Sequence, residues 1–235
     1  MAVYNQIWSK WTRFGEPALI ETTDRQGRDA LAPAVTGLLS PSLRRDLADL
    51  NAQYLDLGLA DELEGDPRFA WSDAVRDCLR AADAATLARL AAAPFALFDL
   101  VVPCGPEATA TRVEDSRPSA RAGSLLYRCE SFAYQAAFLA RRVVEADTPA
   151  TRVVLALSAE ARSRLMDCRP SQLAELARDP RTIRPRWRLH ANFWQALVGA
   201  ARRDSPAAVE WAHCIGLCLT GADDQAPLPR RRTRR

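Results

Sequence analysis

The chain is almost without lysine and histidine. Lys10 is its single lysine, and His190 and His213 are its two imidazoles. A Ser-His or Cys-His catalytic pair would need one of those two beside a nucleophile, and nothing in the sequence marks such a pair. The phosphate-cradling loops G-x-x-x-x-G-K-[ST] and G-x-G-x-x-G are missing, as are G-x-S-x-G and H-E-x-x-H. Catalysis is not expected, nor a cofactor or a small-molecule substrate. Long apolar runs are missing too. The most apolar stretch, Leu97–Val102, is far shorter than the roughly 20 residues that cross a bilayer. The opening MAVYNQIWSKWTRF lacks the apolar stretch and cleavage site of a secretory signal. A cytoplasmic protein without membrane association is the expectation. The six cysteines form no C-x-x-C pair and fall mostly at apolar helical positions, as reduced core thiols would. Cys214 and Cys218 are spaced i, i+4, but His213 points about 100° from Cys214 on a helix, and no fourth ligand is evident. No metal site is expected.

What is present is apolar residues, alanine and arginine. Hydrophobic residues make up 48% of the 235, enough for a sizeable core. Net charge is only +3, so there is no global basic field. Basicity is local instead: Arg181, Arg184, Arg186 and Arg188 in one stretch, then Arg202 and Arg203, then a tail with Arg230, Arg231, Arg232, Arg234 and Arg235.

An internal duplication organises the chain. Residues 70–94 (AWSDAVRDCLRAADAATLARLAAAP) match 156–180 (ALSAEARSRLMDCRPSQLAELARDP) at an ungapped offset of 86. Ala70, Ser72, Leu79, Leu87, Ala88, Leu90, Ala91 and Pro94 recur as Ala156, Ser158, Leu165, Leu173, Ala174, Leu176, Ala177 and Pro180. One copy per half is too few for a solenoid. It predicts two related helical modules packed as a pseudo-dimer. The expected fold is all-α, with one short extended segment near 95–102. The expected division is an N-terminal helical module at 1–102, a linker at 103–121, a C-terminal module at 122–221 and a disordered basic tail at 222–235. The linker is rich in proline and small polar residues and falls between the copies.

Helix punctuation supports this reading. Ser40-Pro41 is a cap followed by a proline suited to the first helical position. Leu43, Leu47, Leu50, Tyr54 and Leu57 follow at helical spacing. Ser72 and Asp83 cap two further helices, and Ser158 a third. A long amphipathic helix is predicted over about 123–146, and Pro170-Ser171 is read as a break before a helix from Gln172 to Arg178. The last helix is expected to stop near Leu219, with Gly221 as its terminator. Residues 3–15 suit a short amphipathic helix. Its Trp8, Trp11 and Phe14, with Ile7, are the candidate partner-binding side chains.

Two constellations could touch nucleic acid. The helix–break–helix at Ala159 to Arg178 has helix-turn-helix proportions, with Gln172, Glu175 and Arg178 outward on its second helix. The matching helix in the first copy offers Ala85, Thr86 and Arg89. In the stretch RTIRPRWRLH, Arg184, Arg186 and Arg188 alternate, so in an extended segment they would share one side. With Arg181, Arg202, Arg203 and the tail arginines they are the candidate phosphate contacts. Trp187 would either stack on bases or anchor the loop in the core.

Several pieces of the second half, taken together, match a known pattern: Tyr134 to Ala140, Glu145-Ala-Asp147, VVLALS at 153–158, Leu165, LAELA at 173–177, RPRWRLH at 184–190 and WAHCIGL at 211–217. Over roughly 100 residues this half resembles the flagellar master regulator subunit FlhD. Ala156 stands where that family tends to have glycine, and the doubled length is foreign to it. The resemblance implies an all-helical, dimerising transcriptional regulator that acts on DNA with a zinc-binding partner subunit. Here the tandem copies would replace the homodimer within one chain. The leading expectation is thus a non-enzymatic regulator binding DNA as part of a complex with a protein partner. The alternative is a protein-interaction adaptor, such as an accessory component of a secretion apparatus, without nucleic acid. A regulator should gather the arginines on one exposed face, whereas an adaptor should show a contiguous apolar patch.

Overall fold

The computed structural model describes residues 39–103, 124–146, 150–188, 190–203 and 205–223. Trp8, Trp11, Phe14, Arg230, Arg231, Arg232 and all of the predicted linker except Pro103 lie outside the described residues. Among the described residues the protein is mostly helical, with nine α-helices and one two-stranded antiparallel ribbon. No described helix is long and apolar enough to cross a membrane.

Local chemistry sets the ends of the helices. Helix α1 (Pro41–Gly58) starts where the Ser40 hydroxyl accepts from the Leu43 N–H, with Pro41 in the first turn. Helices α2 (Asp73–Arg80) and α3 (Ala84–Ala91) form a hairpin, and the Asp83 carboxylate between them accepts from the Thr86 N–H. Strand β1 (Phe98–Leu100) follows. Helix α4 (Leu125–Glu145) is capped by Ser124. Then come α5 (Ala150–Leu155), α6 (Ala159–Asp167, capped by Ser158) and α7 (Pro170–Arg178). Strand β2 (Ile183–Pro185), α8 (Ala191–Arg202) and α9 (Pro206–Asp223) complete the order. Two boundaries correct the sequence reading. Pro170 opens α7 rather than breaking the chain before it, because its fixed φ and missing N–H suit a first turn. Helix α9 runs past Gly221 to Asp223.

The described elements before residue 104 and after residue 123 share one core. Helices α1 and α4 lie antiparallel, bracketed by Asp46–Arg142 at 2.7 Å and Asp56–Arg128 at 2.6 Å. Both pairs are exposed, so they set alignment more than stability. Between them the rings of Tyr54 and Phe132 stack at 5.7 Å. Helix α3 packs on α1, and α7 on α4. Strand β1 pairs with β2, with Asp99 opposite Arg184. Helix α8 lies across α2 and α3, and α9 packs on α8 and α5. Leu47, Phe69 and Phe98 from the first side meet Phe132, Phe193 and Trp194 from the second in a single buried cluster.

Element bounds follow the sequence match. Helices α2 and α6 open at Asp73 and Ala159, and α3 and α7 at Ala84 and Pro170, each pair 86 positions apart. Leu79 and Leu165 are both fully buried. The second helices differ. Helix α7 buries Leu173 and Ala177, whereas α3 buries Thr86, Leu90 and Ala91, leaving Leu87 and Leu176 only half-buried. The expected like-for-like core roles of Leu87 with Leu173 and of Leu90 with Leu176 therefore do not hold in full. The cause is α8, which covers α3 in addition to α1, while α7 leans chiefly on α4.

Between α5 and α6 the chain turns through Ala156 at φ 53°, with Leu155 and Leu157 buried on either side. A left-handed residue with a Cβ is disfavoured, and glycine is not. Ala156→Gly is expected to raise stability by about 0.5–1 kcal/mol, the relief of that clash less the extra freedom of an unfolded glycine. Urea denaturation checks this, and a destabilised variant would show that the turn tolerates its alanine without strain.

Candidate functional site

The stretch Phe95-Ala96-Leu97 runs through the middle of the core without regular structure, all three residues fully buried. Backbone polar groups there need partners. Asn51 of α1, itself buried, donates to the carbonyls of Ala91 and Phe95 and accepts from the Leu97 N–H. The Ala96 N–H donates to the Val154 carbonyl, and the Leu97 carbonyl accepts from the Arg186 N–H. The Ala96 carbonyl accepts from the Arg186 guanidinium at 3.0 Å.

Arg186 is therefore not a phosphate contact. It is 2% exposed, and this corrects the expected alternation. Strand β2 ends at Pro185, and Trp187 takes a left-handed φ of 51°. The period-two pattern thus stops before Arg186 can point outward with Arg184. Its guanidinium instead donates to Val154 at 2.7 Å and to Val153 at 3.3 Å, the late carbonyls of α5. Those carbonyls have no helical partners of their own. The group lies 4.8 Å from the Trp187 ring centroid and 3.7 Å from the Asp99 carboxylate. Trp187 is buried among Phe95, Phe193 and Trp194, so it is the core anchor of the two roles considered for it.

Among the described residues the other predicted arginines are mostly engaged. Arg184, across the ribbon, pairs with Asp99 at 3.2 Å and is half exposed. Arg181 forks onto Asp179, whose carboxyl is pushed up by burial but held below its ordinary range by the Arg181 hydrogen bonds and charge. Arg202 donates to the Ala81 carbonyl, and Arg203 to the Gly199 carbonyl in its own helix. Arg188 is exposed. In the first hairpin Thr86 is buried and Arg89 donates to the Ala201 carbonyl, while Ala85 is exposed. On α7, Gln172, Glu175 and Arg178 are exposed as expected. Among the described residues no group of three or more His, Cys, Asp or Glu is placed to hold a metal ion.

The sequence reading missed the exposed face of α4. Tyr127, Tyr134 and Phe138 stand at i, i+7 and i+11, which at 100° per residue is one line along the helix. Tyr127 is 44% and Phe138 49% exposed, and Tyr134 is half-buried. The core stripe of Cys129, Phe132, Ala136, Leu139 and Val143 runs along the opposite side. The signal lies in the sequence, because aromatic residues off the core period of a long helix stand out.

Comparison with known proteins adds no further constraint: no family model matches the chain, and no curated protein or solved structure matches it.

Two outcomes test this assignment. Arg186→Met should cost about 2–4 kcal/mol, since it strips buried carbonyls of their donor, whereas Arg184→Ala should cost less than about 1 kcal/mol, as an exposed pair does. Equal losses in chemical denaturation would contradict the split. His213 packs edge-on against Phe95, and burial lowers its pKa from 6.5 to about 4. The native state keeps it neutral, while the unfolded chain takes up a proton below 6.5. Stability should thus be full above that pH and fall by about 3 kcal/mol as pH drops from 6.5 through 4. His213→Leu should flatten this slope, and an unchanged slope would remove His213 as its cause.

Proposed function

We propose that this protein is a non-enzymatic helical subunit that works by binding another protein, built as a tandem duplication packed as an internal pseudo-dimer. One observation carries the functional part. Among the described residues, the arginines expected to face nucleic acid are largely engaged with carbonyls and carboxylates of the chain itself, while α4 leaves Tyr127 and Phe138 exposed to solvent. The duplication is supported by the helix starts that repeat 86 residues apart. It is supported too by ribbon strands that fall within one residue of the same offset and pair antiparallel, as a two-fold relation between copies requires.

A second reading remains, that of an FlhD-like regulator reaching DNA within a complex. Its support is the left-handed Ala156, at the position where that family tends to have glycine, together with exposed Arg188. Both readings require a protein partner and differ in what the arginines do.

Affinity capture from the native host, with and without nuclease, separates them. On the adaptor reading the captured partner survives nuclease, and duplex-DNA binding by the full chain changes less than about twofold in an Arg184→Ala/Arg188→Ala variant. On the regulator reading that variant flattens the salt dependence of DNA binding by about two units of log K against log salt, since each phosphate contact contributes about 0.9.

A further inference from the structure

Among the described residues three arginines are buried, and two of them have a carboxylate at hand. Arg68 pairs with Asp66 at 2.7 Å, and Arg186 lies 3.7 Å from Asp99. Arg76 of α2 is 5% exposed and is ion-paired to no described carboxylate. Asp73 and Asp77 of the same helix are exposed and do not pair with it. Its guanidinium makes one hydrogen bond, from Nη2 to the Phe69 carbonyl at 3.3 Å, and Nη1 is buried without an acceptor. A guanidinium does not escape this by losing its proton, and a buried charge without a partner is destabilising until an anion joins it. A second buried donor without an acceptor, the Trp71 indole N–H, belongs to the adjoining turn. The Trp71 backbone N–H donates at 2.7 Å to the same Phe69 carbonyl, so both residues meet at one oxygen. Long helical side chains lean toward the N-terminus, and Arg76 runs back along the first turn of α2 to a carbonyl three residues before the Ser72 cap. That turn is open on its outer side. Ser72, Asp73 and Ala74 are exposed, and the Ser72 hydroxyl caps none of the first N–H groups.

We propose that the N-terminal end of α2, with Arg76 behind it, is a binding site for a carboxylate group. The first-turn N–H groups and the positive end of the helix attract an anion. Arg76 adds a full charge that acts at short range with little water between. A carboxylate has two oxygens in one plane, so one can accept from the first turn while the other accepts from the guanidinium. Nη1 is covered as it stands, so contact with it comes from rotation of the long side chain and not from backbone movement. Asp73 keeps a negative side chain in the first turn. A monoanion therefore suits the site better than a phosphate dianion, which would meet twice the repulsion. The carboxylate comes either from a small free acid or from an acidic side chain of a partner protein. Both present the same group, and the second source rests on the partner-binding reading above.

Titration of the full chain with acetate, against chloride at fixed ionic strength, tests this. The Asp73 and Ala74 amide signals and the Trp71 indole N–H signal in NMR spectra should shift and saturate with acetate. The thermal midpoint should rise with acetate too, because a ligand of the folded state stabilises it. Arg76→Met replaces an unpaired buried charge with an apolar chain and so is expected to fold. It should lose both responses. Asp73→Asn, altered at an exposed position, should tighten acetate binding roughly threefold, and it decides the matter by itself if Arg76→Met does not fold. Absence of a saturable acetate shift would overturn the proposal. So would equal shifts with acetate and chloride, shifts that survive Arg76→Met, or binding no tighter in Asp73→Asn. Nuclease-resistant capture then names the source. A partner released by Arg76→Met supplies the carboxylate itself, whereas capture untouched by a variant that no longer binds acetate assigns the site to a free acid. A chain that captures its partner but binds no acetate loses this site and keeps the partner-binding reading. A chain that binds acetate and captures nothing keeps the site and loses that reading.

Discussion

The Arg186 guanidinium is the group on which the other contacts converge. Three peptide carbonyls from two distant segments meet at it, and its own carbonyl accepts from the Trp194 indole N–H at 3.1 Å. A planar cation with donors fixed in a fork can serve several acceptors at once and stack on an indole, which a lysine ammonium cannot. Burying that charge is costly unless its donors are used. Here they face helix-end carbonyls, whose partial negative charge favours a cation, and Asp99 stands close enough to offset part of the remainder. With Asn51 holding the opposite side, an irregular peptide stretch crosses an apolar interior with its three carbonyls and the Ala96 and Leu97 N–H groups paired.

The same arrangement explains why the halves are unequal. The first hairpin is closed over by α8, with Arg89 and Arg202 tying helix ends to carbonyls across the contact. The second hairpin packs on α4, whose outer side carries rings instead. On the duplication reading, one copy became the seat for the C-terminal helices and the other kept an open flank. Divergence of two copies within one chain can do this, because each face is free to change without altering its counterpart. A homodimer has no such freedom, since every substitution appears twice.

Local signals were legible in the sequence, and distant ones were not. Ser40, Asp83 and Ser158 were readable as caps because a side-chain acceptor next to an orphan N–H is a local event, and each makes that bond. The long α4 and the extended stretch near 98 were readable from periodicity and composition. The fate of Arg186 was not. Its alternation with Arg184 suggests a shared face, and only the end of β2 at Pro185 and the turn at Trp187 reverse it. Leu87 and Leu176 fell short of their expected burial for a similar reason: nothing within 84–91 says that α8, a hundred residues later, will lie across it.

The ribbon joins Phe98–Leu100 to Ile183–Pro185, and this has a consequence for synthesis. A nascent chain that has reached residue 100 holds Phe95, Ala96 and Leu97 with neither Val154 nor Arg186 yet made. At ribosomal rates of about 5–20 residues per second, that apolar stretch waits some 4–17 s for its partners. During that interval it is open to chaperones and to mispairing with other unfinished chains. Completion of the interior is therefore a late, C-terminal event, and a message cut short before residue 186 would release a product with its central segment unsealed.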